Sequence, residues 1–227
     1  MRRFVVTMVV AAGSWACFTP GAGNPHMWSH YDQAADANAA VIRGDLHQAR
    51  LAGEWLASHE TDENLPPQSE PMVVRMRRHA QALAIANDIP NAAINTAGLA
   101  RACGECHRVQ GPGPDFRGRG VPPAEGSGTG LEMRQHSWAA GRMWEGLIGP
   151  SDSAWAAGAR TLVNAPLATD SITIRADVQR QVRELETRVH DIGLRGMTVT
   201  GGGERESLYA ELISTCATCH EMVRRRE

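Results

Sequence analysis

The sequence predicts an all-α protein built as two tandem up-down-up-down four-helix bundles, and three observations carry that prediction. Ala, Arg, Leu and Gln fill long stretches without glycine, while aromatic residues make up only 5% of the chain, a composition that favours helix over strand. Two short patterns recur in the same order. M-x-x-H occurs at Met27–His30 and again at Met133–His136, 106 residues on, and C-x-x-C-H occurs at Cys103–His107 and Cys216–His220, 113 residues apart. A stretch rich in Gly and Pro, residues 111–131, separates the two copies, as a linker between modules would.

The first residues stand apart from the fold. Arg2 and Arg3 precede a nine-residue stretch from Phe4 to Ala12 that is apolar but for Thr7, and Ser14 and Ala16 take the small-residue places before a cut. Residues 1–23 therefore read as an export segment, which places the mature chain in the periplasm or outside the cell. The other reading is a short hydrophobic first helix of a cytosolic protein. Nine residues cannot span a bilayer, and no other apolar stretch reaches eighteen. Cys17 follows the cut, where a bacterial lipoprotein carries its lipidated cysteine, although Ser14 and Trp15 depart from the usual lipoprotein pattern. Lipidation of Cys17 would tether the chain to a membrane; otherwise Cys17 is removed or is a free thiol.

Each module then reads as four helices. In the first module, residues 24–110, they run from about Pro25 to Arg43, Asp45 to Ser58, Met72 to Asn87 and Ala92 to His107, broken by Gly44 and by Pro66, Pro67, Pro71 and Pro90. In the second, residues 132–227, they run from about Glu132 to Ile148, Ser153 to Val163, Ile174 to Gly193 and Arg205 to Arg225. Short links make neighbouring helices antiparallel. Behind each M-x-x-H, Ala49, Ala52 and Leu56 are expected to correspond to Ala156, Ala159 and Val163, and the drift from 106 to 113 requires about seven residues inserted between the second helix and the last. The Gly-rich stretch between modules has a second reading, an ordered loop covering a site.

Met27, His30, Ala34, Ala37 and Val41 share a stripe of three-four spacing, and Met133, His136, Ala140, Met143 and Leu147 form its partner. These stripes are expected to face the bundle interiors. Small Ala residues on them would leave room for something flat and bulky among the helices.

The chemistry lies in C-x-x-C-H. Two cysteines three apart on a helical turn can each add across one vinyl group of haem, and the His that follows can reach the iron as proximal ligand. Disulfides or zinc sites are the other readings, but neither explains a His fixed directly after the second Cys in both copies. His220 is followed by only seven residues, so any second axial ligand for that haem is expected from upstream. In an up-down-up-down bundle the end of the fourth helix lies beside the start of the first, where M-x-x-H sits.

On these residues the chain resembles the class II cytochromes c, the cytochrome c′ and c556 group, whose haem is attached near the end of the last helix of a four-helix bundle. The resemblance implies two bundles of cytochrome c′ type, with two covalently attached c-type haems. It implies Cys103, Cys106, Cys216 and Cys219 as thioether positions and His107 and His220 as proximal ligands. It further implies that the first helix of each bundle faces the distal side, where relatives place Met or an apolar residue. This chain offers His30 and His136 one turn beyond Met27 and Met133, so the distal ligands are expected to be His30 and His136, with Met27 and Met133, or no protein ligand, as alternatives. Imidazole on both faces would favour ferric iron and lower the potential relative to His/Met ligation.

The expected function is electron transfer between redox partner proteins by an exported dihaem cytochrome, rather than enzymatic turnover. A five-coordinate haem binding nitric oxide or carbon monoxide is the alternative, and a dihaem peroxidase a third, against which the similarity of the two copies argues. All 23 basic residues are Arg against 25 acidic ones, a formal charge of −2, which gives no case for nucleic acid as a partner. Membrane contact is expected only through a lipidated Cys17, and a homodimer is a further association open to the chain. His26, His47, His59, His79 and His190 have no equivalent in the other copy and read as surface or capping residues. Arg101, Arg108, Arg224, Arg225 and Arg226 flank the C-x-x-C-H motifs, where they would pair with haem propionates or with helix ends. Trp28, Trp138 and Trp144 would line a haem pocket or serve ordinary packing.

Overall fold

The computed structural model describes residues 25–59, 65–111, 116, 120–172 and 175–224. The export segment, Cys17, Arg225 and Arg226 lie outside the described residues. Among the described residues the regular structure is entirely helical: α1 (Pro25–Ile42), α2 (Leu46–Ser58), α3 (Glu70–Ala84) and α4 (Ile89–Gln110), then α5 (Gly128–Ile148), α6 (Asp152–Asn164), α7 (Ala176–Gly196) and α8 (Gly202–Arg224), with short 3-10 turns before α3 and α7. The expected helices are all present, their ends displaced by a few residues. Polar caps set several starts: Asp45 accepts from the Gln48 amide at 3.0 Å, Asp88 from the Asn91 amide at 2.8 Å and Ser151 from the Ala154 amide at 3.2 Å. Gly44 ends α1 at φ 71°, a backbone state that costs other residues energy.

Helices α1 to α4 pack in chain order and close with α4 on α1; α5 to α8 do the same with α8 on α5. The halves meet through α4 against α8, α4 against α5 and α1 against α8, whereas α2, α3, α6 and α7 pack only within their own half. The result is a central layer of α1, α4, α5 and α8 with a helical pair on each flank. Buried residues of both halves, among them Ala34, Leu99, Met143 and Leu212, form one contiguous hydrophobic cluster. At its centre Tyr209 is fully buried, and its hydroxyl is shared between Asn38 Oδ1 at 2.9 Å on α1 and Ala140 O at 3.2 Å on α5. Burial raises the phenol above its ordinary range.

The burial pattern refines the expected registers. Ala49, Ala52 and Leu56 are buried on α2; of their expected counterparts on α6, Ala159 is buried and Ala156 and Val163 are half-buried, whereas Trp155, Gly158 and Leu162, one position earlier, are all buried. On α4, Ala92, Thr96, Ala97, Leu99, Ala100 and Ala102 are buried, as are Arg205, Tyr209, Ala210, Leu212, Ile213 and Thr215 at the same places on α8. The extra length falls in α7, which has 21 residues where α3 has 15. On the α1 stripe Ala34, Ala37 and Val41 are buried, but Met27 is 38% exposed because it lies in the first turn, beyond the covering helices.

The stretch read as a linker is in part ordered structure. α5 starts at Gly128, inside it, and Phe116 is buried against Tyr31 at a ring distance of 5.9 Å. Arg142 donates to Phe116 O at 3.1 Å and Gln135 to Pro123 O at 2.9 Å, so α5 side chains hold the loop down.

Helix crossings depend on glycine at several places. A Cβ at Gly158 would lie 2.5 Å from Ala139 O and 2.7 Å from Met143 Cγ. Gly158→Ala is therefore expected to lower stability by about 1–3 kcal/mol through overpacking, outweighing a helix-propensity gain of up to ~1 kcal/mol. Tyr209→Phe leaves Asn38 Oδ1 without its buried donor and is expected to cost about 1–2 kcal/mol. Urea unfolding of both variants measures these losses; a midpoint equal to or above that of the wild type would contradict the packing.

Candidate metal centre

Cys103–His107 forms a turn near the end of α4, and Cys216–His220 a turn near the end of α8. At roughly 100° per residue, the two cysteines and the histidine of each turn share one face, while the residue after the first cysteine points elsewhere. That residue is Gly104 or Ala217, and its small size follows from what it meets. A Cβ at Gly104 would lie 2.0 Å from Leu147 O, at the end of α5. Ala217 is 2% exposed and packs beside Gly44, just past the end of α1.

The histidines then dock on those same helix ends. His107 Nδ1 lies 2.7 Å from Ile148 O, the last residue of α5, and His220 Nδ1 lies 2.8 Å from Ile42 O, the last residue of α1. The final carbonyls of a helix lack partners within it, and a carbonyl only accepts, so each imidazole carries its proton on Nδ1 and keeps the lone pair on Nε2. Metal-binding histidines are oriented in this way by a carbonyl behind them. Each motif therefore belongs to one half and leans on the first helix of the other. Desolvation lowers the pKa of His107 against the opposing effect of the Ile148 hydrogen bond, which keeps the ring neutral and able to ligate.

The four cysteines are half-buried free thiols. Burial pushes Cys103 and Cys216 up to about 12. Cys106 is also raised by burial, with a hydrogen bond to Ser69 opposing, and Cys219 is raised by burial. Each centre thus presents two sulfur atoms and one imidazole lone pair on a single face of a packed helix. Those are the atoms through which a haem could be bonded at two points and ligated at a third, and the Nδ1 contacts fit that use.

The remaining expected residues divide. Arg101 donates to Glu105 and to Glu206 at 2.8 Å each, and Arg75 meets Glu105 at 2.8 Å. The Arg101 guanidinium is held charged chiefly by Glu206, so this arginine joins α4 to α8 and is already paired. Arg224 donates to Arg43 O at the end of α1. Trp144 is buried against Tyr209, Trp138 is half-buried near Arg142, and Trp28 is 49% exposed. His136 places Nε2 2.7 Å from Ala165 O at the end of α6, and desolvation lowers its pKa. Met133 is half-buried one turn earlier. His30 is buried, and its ring gathers with those of His26, Trp55 and His59.

No protein-family model, curated protein or solved structure matches this chain.

That three-histidine group leaves no pattern in the residue order, because His59 is distant in sequence from His26 and His30 and has no counterpart in the second half. The one available signal was the four-residue spacing of His26 and His30 on a helix, which puts both on one face. His79, read as a surface or capping residue, instead contacts Asn95 at 3.3 Å across the α3–α4 crossing.

Two outcomes follow from the centre. In the thiol form of the protein, iodoacetamide at pH 8 labels Cys106 and Cys219 before Cys103 and Cys216, because the latter two, pushed up to about 12, form little thiolate. Peptide mass analysis reads the order, and earlier labelling of Cys103 or Cys216 would contradict their burial. His136 has a pKa below its ordinary value, so its contribution to stability is present above that ordinary value, near 6.5, and is lost as pH falls below it. His136→Gln is expected to reduce the loss of stability between pH 7 and pH 5, measured by urea midpoints at both pH values. An unchanged pH dependence would remove His136 from that role.

Proposed function

We propose that this chain is an exported dihaem c-type cytochrome, similar to the class II cytochromes c, that carries electrons between redox partner proteins. The reading rests on one observation above the others: both C-x-x-C-H turns hold the histidine with Nδ1 on a helix-end carbonyl, His107 on Ile148 O and His220 on Ile42 O, so that both Nε2 atoms are left for iron. Cys103 and Cys106 would hold one haem, and Cys216 and Cys219 the other, through thioether bonds. A bound haem supplies one-electron chemistry. The protein's share is to bury the thiols, fix the imidazole tautomer and orientation, and keep both turns on packed helices. If the chain fills the sixth positions, the residues come from the first helix of each half, Met27 or His30 on α1 and Met133 or His136 on α5.

The second reading is a gas-binding module with an open iron. It is favoured by one arrangement: His136 Nε2 is taken up by Ala165 O, and His30 is gathered with His26 and His59. Breaking the His136 contact costs about 1 kcal/mol net, too little to prevent ligation by iron, so electron transfer remains the preferred assignment.

Optical and paramagnetic resonance spectra of the purified full chain, before and after reduction under carbon monoxide, separate the two. An electron carrier gives low-spin iron and no rapid shift on adding the gas; a high-spin signal with a fast shift would replace it by the gas-binding reading. His136→Ala turns one iron high-spin if that imidazole ligates, and unaltered spectra would leave Met133 or an open position on that haem.

A further inference from the structure

We propose that His26, His30 and His59 form a binding site for a divalent first-row transition-metal ion of the zinc class, separate from the C-x-x-C-H centres. His26 and His30 stand one turn apart at the start of α1, and His59 caps the end of α2, its amide donating to Trp55 O at 2.9 Å. One ligating atom from each of the three lies within 4.8 Å of the other two, the only such group of three among the described residues. Donors around a tetrahedral zinc stand about 3.3 Å apart, given bonds of roughly 2.0–2.1 Å, so the rings need to draw in by about 1.5 Å at most.

The rings are already arranged for this. Their centroids lie 4.5 Å apart for His26 and His30 and 5.3 Å for each of the other two pairs. Three imidazoles on one tetrahedral ion would have centroids about 5 Å apart. Trp55 stacks on His59 at 3.9 Å and 15° and meets His30 edge-on at 5.4 Å, which restrains two of the three rings from behind.

The second half shows what the same place looks like without the cluster. At 106 residues on, His26 is replaced by Glu132 and His59 by Ala165, while His30 is matched by His136. There Glu132 accepts from the Ala168 amide at 2.7 Å, and His136 sits on Ala165 O at 2.7 Å. A backbone hydrogen bond serves the lone imidazole, whereas the first half supplies two more imidazoles. Three neutral nitrogen donors with one position left to water select zinc, copper or nickel over magnesium or calcium, which require oxygen. The ion would tie the start of α1 to the end of α2. It would also take His30 away from haem iron, leaving Met27 as the α1 candidate for that role.

The inference does not depend on haem attachment, and its test reads the two separately. The full chain as purified, treated with a chelator and then dialysed against zinc chloride, is expected to retain one zinc per chain by elemental analysis. His26→Ala and His59→Ala are each expected to weaken zinc binding at least tenfold and to abolish a zinc-induced rise in Tm. His136→Ala retains the zinc. Far-ultraviolet circular dichroism of the His26→Ala and His59→Ala proteins stays that of the wild type, which shows that both fold. Failure of the wild type to retain zinc, or equal retention by both variants, overturns the site. A change in haem spin state in His30→Ala, with zinc retained, assigns His30 to iron instead and likewise overturns it.

Discussion

The structure depends on a reciprocal dock, in which the C-x-x-C-H turn of each half rests on the end of the other half's first helix. Two contacts define it on each side. A small residue inside the motif, Gly104 or Ala217, lets the helices approach, and the following histidine gives its Nδ1 proton to a terminal carbonyl, Ile148 O or Ile42 O. Any side chain at Gly104, even the Cβ of alanine, would force α4 off α5, and one larger than alanine at Ala217 would force α8 off α1. The histidine would then lose the carbonyl that fixes its tautomer, so packing and potential ligand chemistry are coupled at the same few atoms.

This arrangement changes what the two halves are. The sequence suggested two modules joined by a linker, each closed around its own interior. In the structure α4 and α8 form a shared seam, Tyr209 joins α8 to both α1 and α5, and Arg101 bridges α4 to α8 through Glu206. Partly exposed ion pairs add little stability singly, so the seam is held chiefly by the buried apolar cluster common to both halves. Cooperative unfolding of both halves together is the natural consequence. On the proposed reading, a common core would also hold two haems in a fixed mutual arrangement, as exchange of electrons between them requires.

Much of this was legible from residue order, for identifiable reasons. Helices are local, so Gly44 and Pro66 marked limits, whereas Pro71 and Pro90, expected as breaks, sit in the first turns of α3 and α4, where a missing N–H costs nothing. The C-x-x-C-H motifs were legible as turns near the ends of α4 and α8, because a short spacing on a helix fixes which residues share a face. The partners of His107 and His220 were not, since a backbone carbonyl of another half leaves no mark in a side-chain pattern. The same limit hid Phe116, whose burial depends on Tyr31 and the close approach of Gly149. It also hid His59, which becomes informative only when α2 folds back beside α1. The α6 register slipped by one because Ala156, Ala159 and Val163 make as good an apolar stripe as Trp155, Gly158 and Leu162; packing against α5 and α7 buries all of the second set but only Ala159 of the first.

The central proposal, covalent attachment at both turns, is tested most directly by peptide mass analysis of the purified chain after proteolysis. The account predicts that the peptide carrying Cys103–His107 and the peptide carrying Cys216–His220 are each heavier by one haem, about 0.6 kDa, with neither pair of cysteines open to alkylation. Recovery of both peptides at their unmodified mass, with all four cysteines alkylated, would contradict it.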